Sequence, residues 1–312
     1  NPEEAIAKSR RILDERGGKV RDDKRLAFAE GWIAMYGDRN WTKAEQLFRE
    51  AVAFSKSAET IHACALYLFY GEGRYVEAIE LIDSALEQDP DHLGLLDLKA
   101  DCFAFEGSYQ ESIDAGREIV KRDPQNWDTL NQMGMSLHLL GKSSEALEKA
   151  NLAVDLSKNK PLCLATRAII YAQSGQEKEA LEELAKLDER AKTVYVDPTY
   201  LANVDAALGK FDRAFERLES AASKKGGWGL LGLRYRNRIE LYGHDPRYWE
   251  LIDRLKFPDL PFYHPHYELE QRMRFGNGRA GTTITESKKN IRKIVVRPFR
   301  SRGSEENHAA AV

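Results

Sequence analysis

Small and apolar residues recur along the chain at an interval of 34 residues. Five glycines mark this interval: Gly73, Gly107, Gly141, Gly175 and Gly209. Five positions beyond each glycine lies a small residue: Ala78, Ser112, Ala146, Ala180 and Ala214. Ahead of Gly141, apolar or small residues follow the spacing i, i+3, i+4, i+7, which predicts one face of a helix: Leu130, Met133, Gly134 and Leu137. Each repeat is therefore predicted to form two helices joined by a turn.

The turn and the end of each repeat carry their own signals. Gly141 is predicted to end the first helix, because glycine adopts the left-handed backbone conformation at little energetic cost. A second stripe of small residues follows, at Ala146, Ala150 and Ala153, and it allows the two helices to approach closely. An Asp-Pro dipeptide, as at 89–90 and 123–124, stops the second helix, because the residue before proline is disfavoured in helical geometry.

The period and the residue types resemble the tetratricopeptide repeat (TPR), a helix-turn-helix unit that stacks into a solenoid. Six units are predicted, beginning near Arg25, Glu59, Leu93, Trp127, Pro161 and Tyr195. The predicted fold is all-α, a right-handed TPR superhelix over residues 1–260. Within it, one helix from Pro2 to Glu15 precedes the six units, and a helical pair from Arg234 to Leu255 closes them. A cap and flexible basic linker are expected over 261–290. One possible β-strand is expected in a short C-terminal extension, 291–312.

Several stretches are similar to a particular bacterial class of TPR regions, attached to adenylate or guanylate cyclase domains or to winged-helix domains of transcriptional regulators. The similarity lies in Tyr195-Val196-Asp197-Pro198, Leu208-Gly209, Ala214-Phe215-Glu216-Arg217-Leu218 and Asp245-Pro246-Arg247-Tyr248. Lys293 to Phe299 resembles the strand that opens a small α/β domain in the same proteins, with Arg297 in place of the usual Leu. The resemblance implies a regulatory module whose catalytic or DNA-binding domain lies outside these residues.

The composition fits a folded chain with 42% hydrophobic and 31% charged residues. No run of about 18 apolar residues predicts a membrane span, and the polar start Asn1-Pro2-Glu3-Glu4 does not resemble a signal peptide. The three cysteines cannot close a disulfide framework, which favours a reducing compartment. We therefore expect a cytoplasmic protein with no membrane partner.

The groove of such an array is lined by first-helix residues one or two places off the apolar stripe. The repeat register gives these candidates for partner binding: Glu30, Tyr67, Asp97, Asp101, Asn131, Gln132, His138, Thr166, Tyr200 and Asn203. The set is polar to acidic, so it lacks the cations that a bound carboxylate would need. A protein or peptide partner, or another domain of the parent protein, is the expected ligand. The competing interpretation is that these are ordinary solvated helix residues.

The residues offer little for catalysis, and the chain is expected not to be an enzyme. Asp97 and Asp101 lie one helical turn apart and could share a metal or a proton, although surface carboxylates often have this spacing. His264-Pro265-His266 lacks the further ligands of a zinc site. No metal and no cofactor are predicted. The aromatic residues Phe257, Phe262, Tyr263 and Tyr267 are expected to cap the last helices.

The net charge of −3 conceals two opposite regions. Residues 1–270 carry 37 Lys and Arg against 47 Asp and Glu. Residues 271–302 hold one acid, Glu286, and ten basic residues: Arg272, Arg274, Arg279, Lys288, Lys289, Arg292, Lys293, Arg297, Arg300 and Arg302. This tail is a candidate for joining copies of the chain. Nucleic-acid binding through the tail is a less favoured alternative, because only Phe275 and Phe299 are available for base stacking. A further alternative to the regulatory module is a free-standing TPR adaptor.

Overall fold

The computed structural model describes residues 2–17, 26–223, 228–257 and 266–275, and within these ranges it contains helices and no β-strand. The helices are α1 (Pro2–Gly17), α2 (Ala27–Trp32), α3 (Trp41–Phe54), α4 (Ala58–Glu72), α5 (Tyr75–Leu86), α6 (Leu93–Glu106), α7 (Tyr109–Arg122), α8 (Trp127–Leu139), α9 (Ser143–Leu156), α10 (Pro161–Gln173), α11 (Glu177–Arg190), α12 (Pro198–Ala207), α13 (Phe211–Ser223), α14 (Trp228–Leu231), α15 (Arg236–Tyr242), α16 (Pro246–Leu255) and α17 (Tyr267–Phe275). A π-helical segment, Ile33–Asp38, continues α2. The predicted all-α solenoid is confirmed.

The helices from α2 to α13 follow one another as six pairs. All five glycines of the 34-residue interval adopt the left-handed backbone conformation, with φ between 62° and 105°. Polar side chains cap several first helices: Ser57 accepts a hydrogen bond from the Thr60 amide, and Asn126 accepts one from the Thr129 amide. These bonds satisfy amides that have no partner within the helix. Local sequence therefore determines where each helix begins and ends.

Small residues bring the two helices of a pair into close contact. At Gly134 on α8, an added Cβ would lie 3.2 Å from the carbonyl oxygen of Ala146 and 3.3 Å from the amide nitrogen of Ala150 on α9. Ala146, Ala150 and Ala153 are fully buried. The small residues of the repeat lattice are thus located where two backbones touch.

The C-terminal helices extend beyond the cap that the sequence predicts. Residues of α15 and α16, among them Ile239, Tyr242, Tyr248 and Leu251, share a hydrophobic cluster with α12 and α13. Other residues of the same segment reach the first three units. Tyr235 packs on Phe105 of α6 with ring centroids 4.0 Å apart, and Phe257 stacks on Trp41 of α3 at 5.4 Å. Phe257 packs on the last helices, as the sequence predicts, and it also covers the first unit.

The surface of the first units that the C-terminal segment contacts carries aromatic residues at the same 34-residue interval. Trp41, Tyr75 and Tyr109 are the first residues of α3, α5 and α7, at the turn edge of their units. Trp41 contacts Phe257, and Tyr75 contacts the ring of His266 at 5.8 Å. The equivalent positions in the next two units are Ser143 and Glu177. An aromatic edge is therefore present where the C-terminal segment covers it and absent in the next two units.

Two sequence predictions fall wholly or partly outside the described residues. They are the cap and flexible basic linker over 261–290, of which only 266–275 is described, and the strand-like segment 291–312, and each stays a prediction.

We expect Tyr235→Ala to weaken the bridge between the two ends of the array. Tyr235 is 7% exposed, and removing a buried aromatic side chain costs about 3 kcal/mol or more. Hydrogen exchange should increase at residues 103–109, on the other side of the contact, and the urea midpoint of unfolding should fall. Tyr195→Ala is the matched control, because that ring is 49% exposed. Unchanged exchange at 103–109 would contradict the bridging role.

Candidate functional site

The groove candidates with the strongest mutual interaction lie on α6 and α8. Asp97 and Asp101 are one turn apart on α6, and both are half-buried. Asp97 accepts a hydrogen bond from the hydroxyl of Thr129 on α8. Asp128 precedes that threonine and faces the same pair of carboxylates, since its charge acts on Asp101 and the Asp97 charge acts on it. We call Asp97, Asp101 and Asp128 the acidic cluster.

The acidic cluster holds its protons more tightly than carboxyls in water do. Burial raises the pKa of Asp97, and its bond from Thr129 opposes the shift. Burial raises the pKa of Asp101 well above its usual value, and the charges of the other two carboxylates raise it further. Asp128 is exposed on α8, yet the protein around it and the Asp97 charge raise its pKa to about 6. Desolvation and like charges act in the same direction here.

One cation lies near the cluster and is partly engaged elsewhere. Lys160 lowers the pKa of Asp128, while its Nζ sits 3.8 Å from the centroid of the Trp127 ring. Among the described residues, no Lys or Arg forms an ion pair with Asp97, Asp101 or Asp128. The carboxylates therefore have no cationic partner of their own at ion-pair distance within the part of the chain that the structure describes.

Asn131 lies on α8, one turn beyond Asp128 and one repeat beyond Asp97. Its side chain is 6% exposed, and its Oδ1 atom is buried with no hydrogen-bond partner in the described structure. A buried amide oxygen without a donor is unfavourable by about 1–3 kcal/mol. Asn131 thus adds an unused acceptor to the same helix face as the acidic cluster.

Four of the predicted groove residues are less available than the register suggested. Tyr67 is fully buried, and its hydroxyl donates to the carbonyl of Trp41 at 3.0 Å, so it belongs to the core and not to an open groove. Asn203 is 6% exposed and accepts a hydrogen bond from the Tyr242 hydroxyl at 2.9 Å. Thr166 is buried as well. His138 is half-buried and hydrogen-bonds Gln173 through Nε2 at 2.8 Å.

The other three predicted residues keep some exposure. Glu30 on α2 is exposed, and Gln132 on α8 is half-buried. Tyr200 on α12 is half-buried, and burial together with the charges of Asp197 and Asp128 raises the pKa of its phenol. The charge of Asp128 therefore acts both on Asp101 of α6 and on Tyr200 of α12.

Sequence reasoning missed Asp128 and Lys160. Asp128 falls on the groove side of α8, but its equivalents one repeat away are Gly94 and Leu162, so no row of carboxylates marks it. The signal that could have found it is its position three residues before Asn131, on the same helix face. Lys160 lies between helices, where the repeat register gives no groove assignment.

The basic tail is described only at its start. Arg274 contacts the Asp253 carboxylate, and its guanidinium lies 5.6 Å from the centroid of the Trp249 ring. Arg274 is thus part of the cap rather than a free cation, whereas Arg272 on α17 is exposed. The eight remaining basic residues of the prediction lie outside the described residues.

No group of three His, Cys, Asp or Glu residues in the described ranges is arranged to hold a metal ion. His266 is 1% exposed, and burial lowers the pKa of its imidazole to about 4, which keeps it neutral. Its predicted companion His264 lies outside the described residues. The thiols of Cys64, Cys102 and Cys163 are free and buried. A bilayer-crossing helix is absent from the described ranges, since every helix falls short in length or in apolar character.

The helix pairs can be compared with known proteins. No protein-family model matches the sequence, and no curated protein matches it. Among solved structures, TTC0263, a thermophilic TPR protein of Thermus thermophilus, is similar with a TM-score of 0.52 and 19% identity, over 59% of this chain and 98% of its own. The protein has the TPR fold. MamA of Desulfovibrio magneticus RS-1 gives a TM-score of 0.44 at 17% identity, over 55% of this chain and 98% of MamA. MamA AMB-1 gives a TM-score of 0.41 at 19% identity, over 54% of this chain and 99% of its own.

We expect Asp101→Asn to stabilise the TPR array at neutral pH. The pKa of Asp101 is raised in the folded state, so the folded protein binds more protons than the unfolded chain and stability falls as pH rises from about 4 through the folded-state pKa. Facing groups are Asp97 on its own helix and Asp128 on α8. The variant should show a higher thermal midpoint at pH 7 and a flatter decline above pH 4.

Asp155→Asn, on the exposed side of α9, is the control for this measurement. It removes the same charge away from the acidic cluster and should leave the pH dependence unchanged. An Asp101→Asn curve that runs parallel to the parent curve at all pH values would contradict the assignment.

Proposed function

We propose that this chain is a non-catalytic protein-interaction module that holds an extended segment of a partner, or of a neighbouring domain, in its concave groove. The observation that supports the proposal most directly is the acidic cluster on two adjacent first helices. Its carboxylates are partly accessible, and they lack ion-pair partners within the described residues. Partly buried carboxylates without ion-pair partners, held on rigid helices, are more typical of a ligand-binding site than of a purely structural one.

The position of the groove residues also supports this proposal. Asp97, Asp101, Asn131, Gln132 and Tyr200 lie on the first helices of the third, fourth and sixth units. First helices face the concave side in a TPR superhelix, where an extended segment can cross several units. The second helices instead carry charges that pair among themselves, as Arg117 does with Asp114 and Lys121 with Glu118 on α7.

The similarity of residues 195–255 to TPR regions of bacterial nucleotide cyclases and winged-helix regulators supports a narrower version of the proposal. In that version the module belongs to a cytoplasmic signalling protein and biases the output of a domain outside this chain. The tail remains a candidate for joining copies of the chain. A free-standing TPR adaptor would use the same groove without such a domain.

We expect a photo-crosslinking residue at Gln132 to capture the partner. Gln132 is half-buried on the groove side of α8, next to Asn131, whose Oδ1 atom has no hydrogen-bond partner among the described residues. The same residue placed at Glu148, exposed on α9, tests the opposite side of the same unit. Crosslinked species should form from position 132 in cells of the source organism, and mass spectrometry should map them to one extended segment. Equal products from both positions, or products from Glu148 alone, would overturn groove binding.

A further inference from the structure

We infer that the acidic cluster is a cradle for a cationic side chain, an arginine or a lysine of the partner segment. This inference rests on the proposed function and specifies the chemistry of its ligand. Three observations carry it: among the described residues no Lys or Arg forms an ion pair with the cluster, other buried carboxylates in the same chain do form such pairs, and Asn131, one turn from Asp128 on α8, holds an unused acceptor.

The same chain shows how it treats a carboxylate with a structural role. Asp205 on α12 is fully buried, and its Oδ2 atom lies 2.6 Å from Nε of Arg217 and 3.5 Å from Nε of Arg213. Glu183 on α11 is 4% exposed and pairs with Arg167 at 2.9 Å and Lys186 at 2.8 Å. Each of these carboxylates has two cations. Neither Asp97 nor Asp101 has one in the described structure, although both are half-buried.

A buried charge without a partner destabilises a fold, and like charges close together add to that effect. A cation that enters the cluster would offset both contributions, because it would attract all three carboxylates and donate hydrogen bonds to them. Among side chains, Arg and Lys carry this charge, and Arg offers five donors in one plane. The charge and burial of the cluster therefore favour a donor-rich cation.

Asn131 provides a second observation that points to a ligand. Its Oδ1 atom is an acceptor, it is buried, and it lacks a donor in the described structure. It sits on the face of α8 that carries Asp128, and at the repeat position that Asp97 holds in the preceding unit. A guanidinium or ammonium group bound between α6 and α8 would bring N–H donors to this side of the helix. The acceptors of the site thus extend from the carboxylates to an amide oxygen.

A metal ion fits the observations less well. No three ligands in the described ranges are close enough to share an ion. An arginine can instead contact carboxylates on two helices, because its five N–H donors point in several directions within one plane. We therefore assign the cluster to an organic cation on a peptide.

The test uses the full chain and fluorescence polarisation with labelled twelve-residue peptides. The first peptide carries three arginines in a Gly-Ser-Ala background, the second carries citrulline at the same places, and the third carries glutamate. Citrulline has nearly the shape of arginine and no charge. We expect the arginine peptide to bind at least tenfold more tightly than the citrulline peptide, and the glutamate peptide not to bind.

The protein variants separate the cluster from general electrostatics. The triple variant Asp97→Asn, Asp101→Asn, Asp128→Asn should lose tenfold or more in affinity for the arginine peptide. The control triple variant Asp114→Asn, Asp155→Asn, Asp212→Asn changes the net charge equally, at exposed positions on second helices, and should bind like the parent. Circular dichroism checks that both triple variants fold. If the variant of the acidic cluster does not fold, the single variant Asp101→Asn replaces it in the binding measurement.

Three other outcomes would overturn the inference. Equal binding of the arginine and citrulline peptides, with crosslinking at Gln132 retained, would leave groove binding intact and remove the cation assignment. Equal loss of affinity in both triple variants would attribute binding to overall charge. A fourth peptide with the sequence of residues 287–302 tests the tail of this chain: binding of that peptide, without binding of the arginine peptide, would assign the cradle to the chain itself and not to a partner.

Discussion

The close approach of the two helices in each unit is the contact on which the rest of the structure depends. At Gly134 the backbones of α8 and α9 leave no room for a side chain, since an added Cβ would lie 3.2 Å from the Ala146 carbonyl oxygen. Because small residues return every 34 positions, each unit repeats nearly the same helix spacing. Repeated spacing gives a similar rotation from unit to unit, and an array of such units curves. Small side chains at this contact therefore contribute to the way in which the units stack.

Curvature in turn allows the two ends of the array to be joined by one segment. Tyr242 and Tyr248 pack with α12 and α13, while Tyr235 and Phe257 of the same segment pack on Phe105 and Trp41. A solenoid that packs only between neighbours gains stability unit by unit, whereas a contact between distant units couples them. The bridge also shapes the groove, because Tyr242 occupies the amide of Asn203. Part of the concave surface is thus used for folding.

Local structure could be predicted from the sequence, and access to the groove could not. Gly141 ends its helix with φ of 79°, as its position in the repeat indicated, because that effect depends on one residue and its neighbours. Tyr67 follows the same register as Asp101, yet it is buried, because its hydroxyl finds the Trp41 carbonyl one unit away. The aromatic positions Trp41, Tyr75 and Tyr109 were visible at the repeat interval. Their role depends on a segment that lies more than 120 residues later, which periodicity alone does not connect.

The same bridge holds the helix that carries two carboxylates of the acidic cluster. Asp97 and Asp101 lie on α6, whose far end carries Phe105, the residue on which Tyr235 packs. From the other side α6 is held by α7, with Ser112, Ile113 and Ile119 buried. A helix fixed in this way cannot move aside to separate its charges from Asp128 on α8. The mutual repulsion of the carboxylates therefore stays in the folded protein, and the cation proposed above would meet acceptors that need little reorganisation. Preorganisation of this kind lowers the free-energy cost of binding, so the packing that closes the array also prepares the acidic cluster.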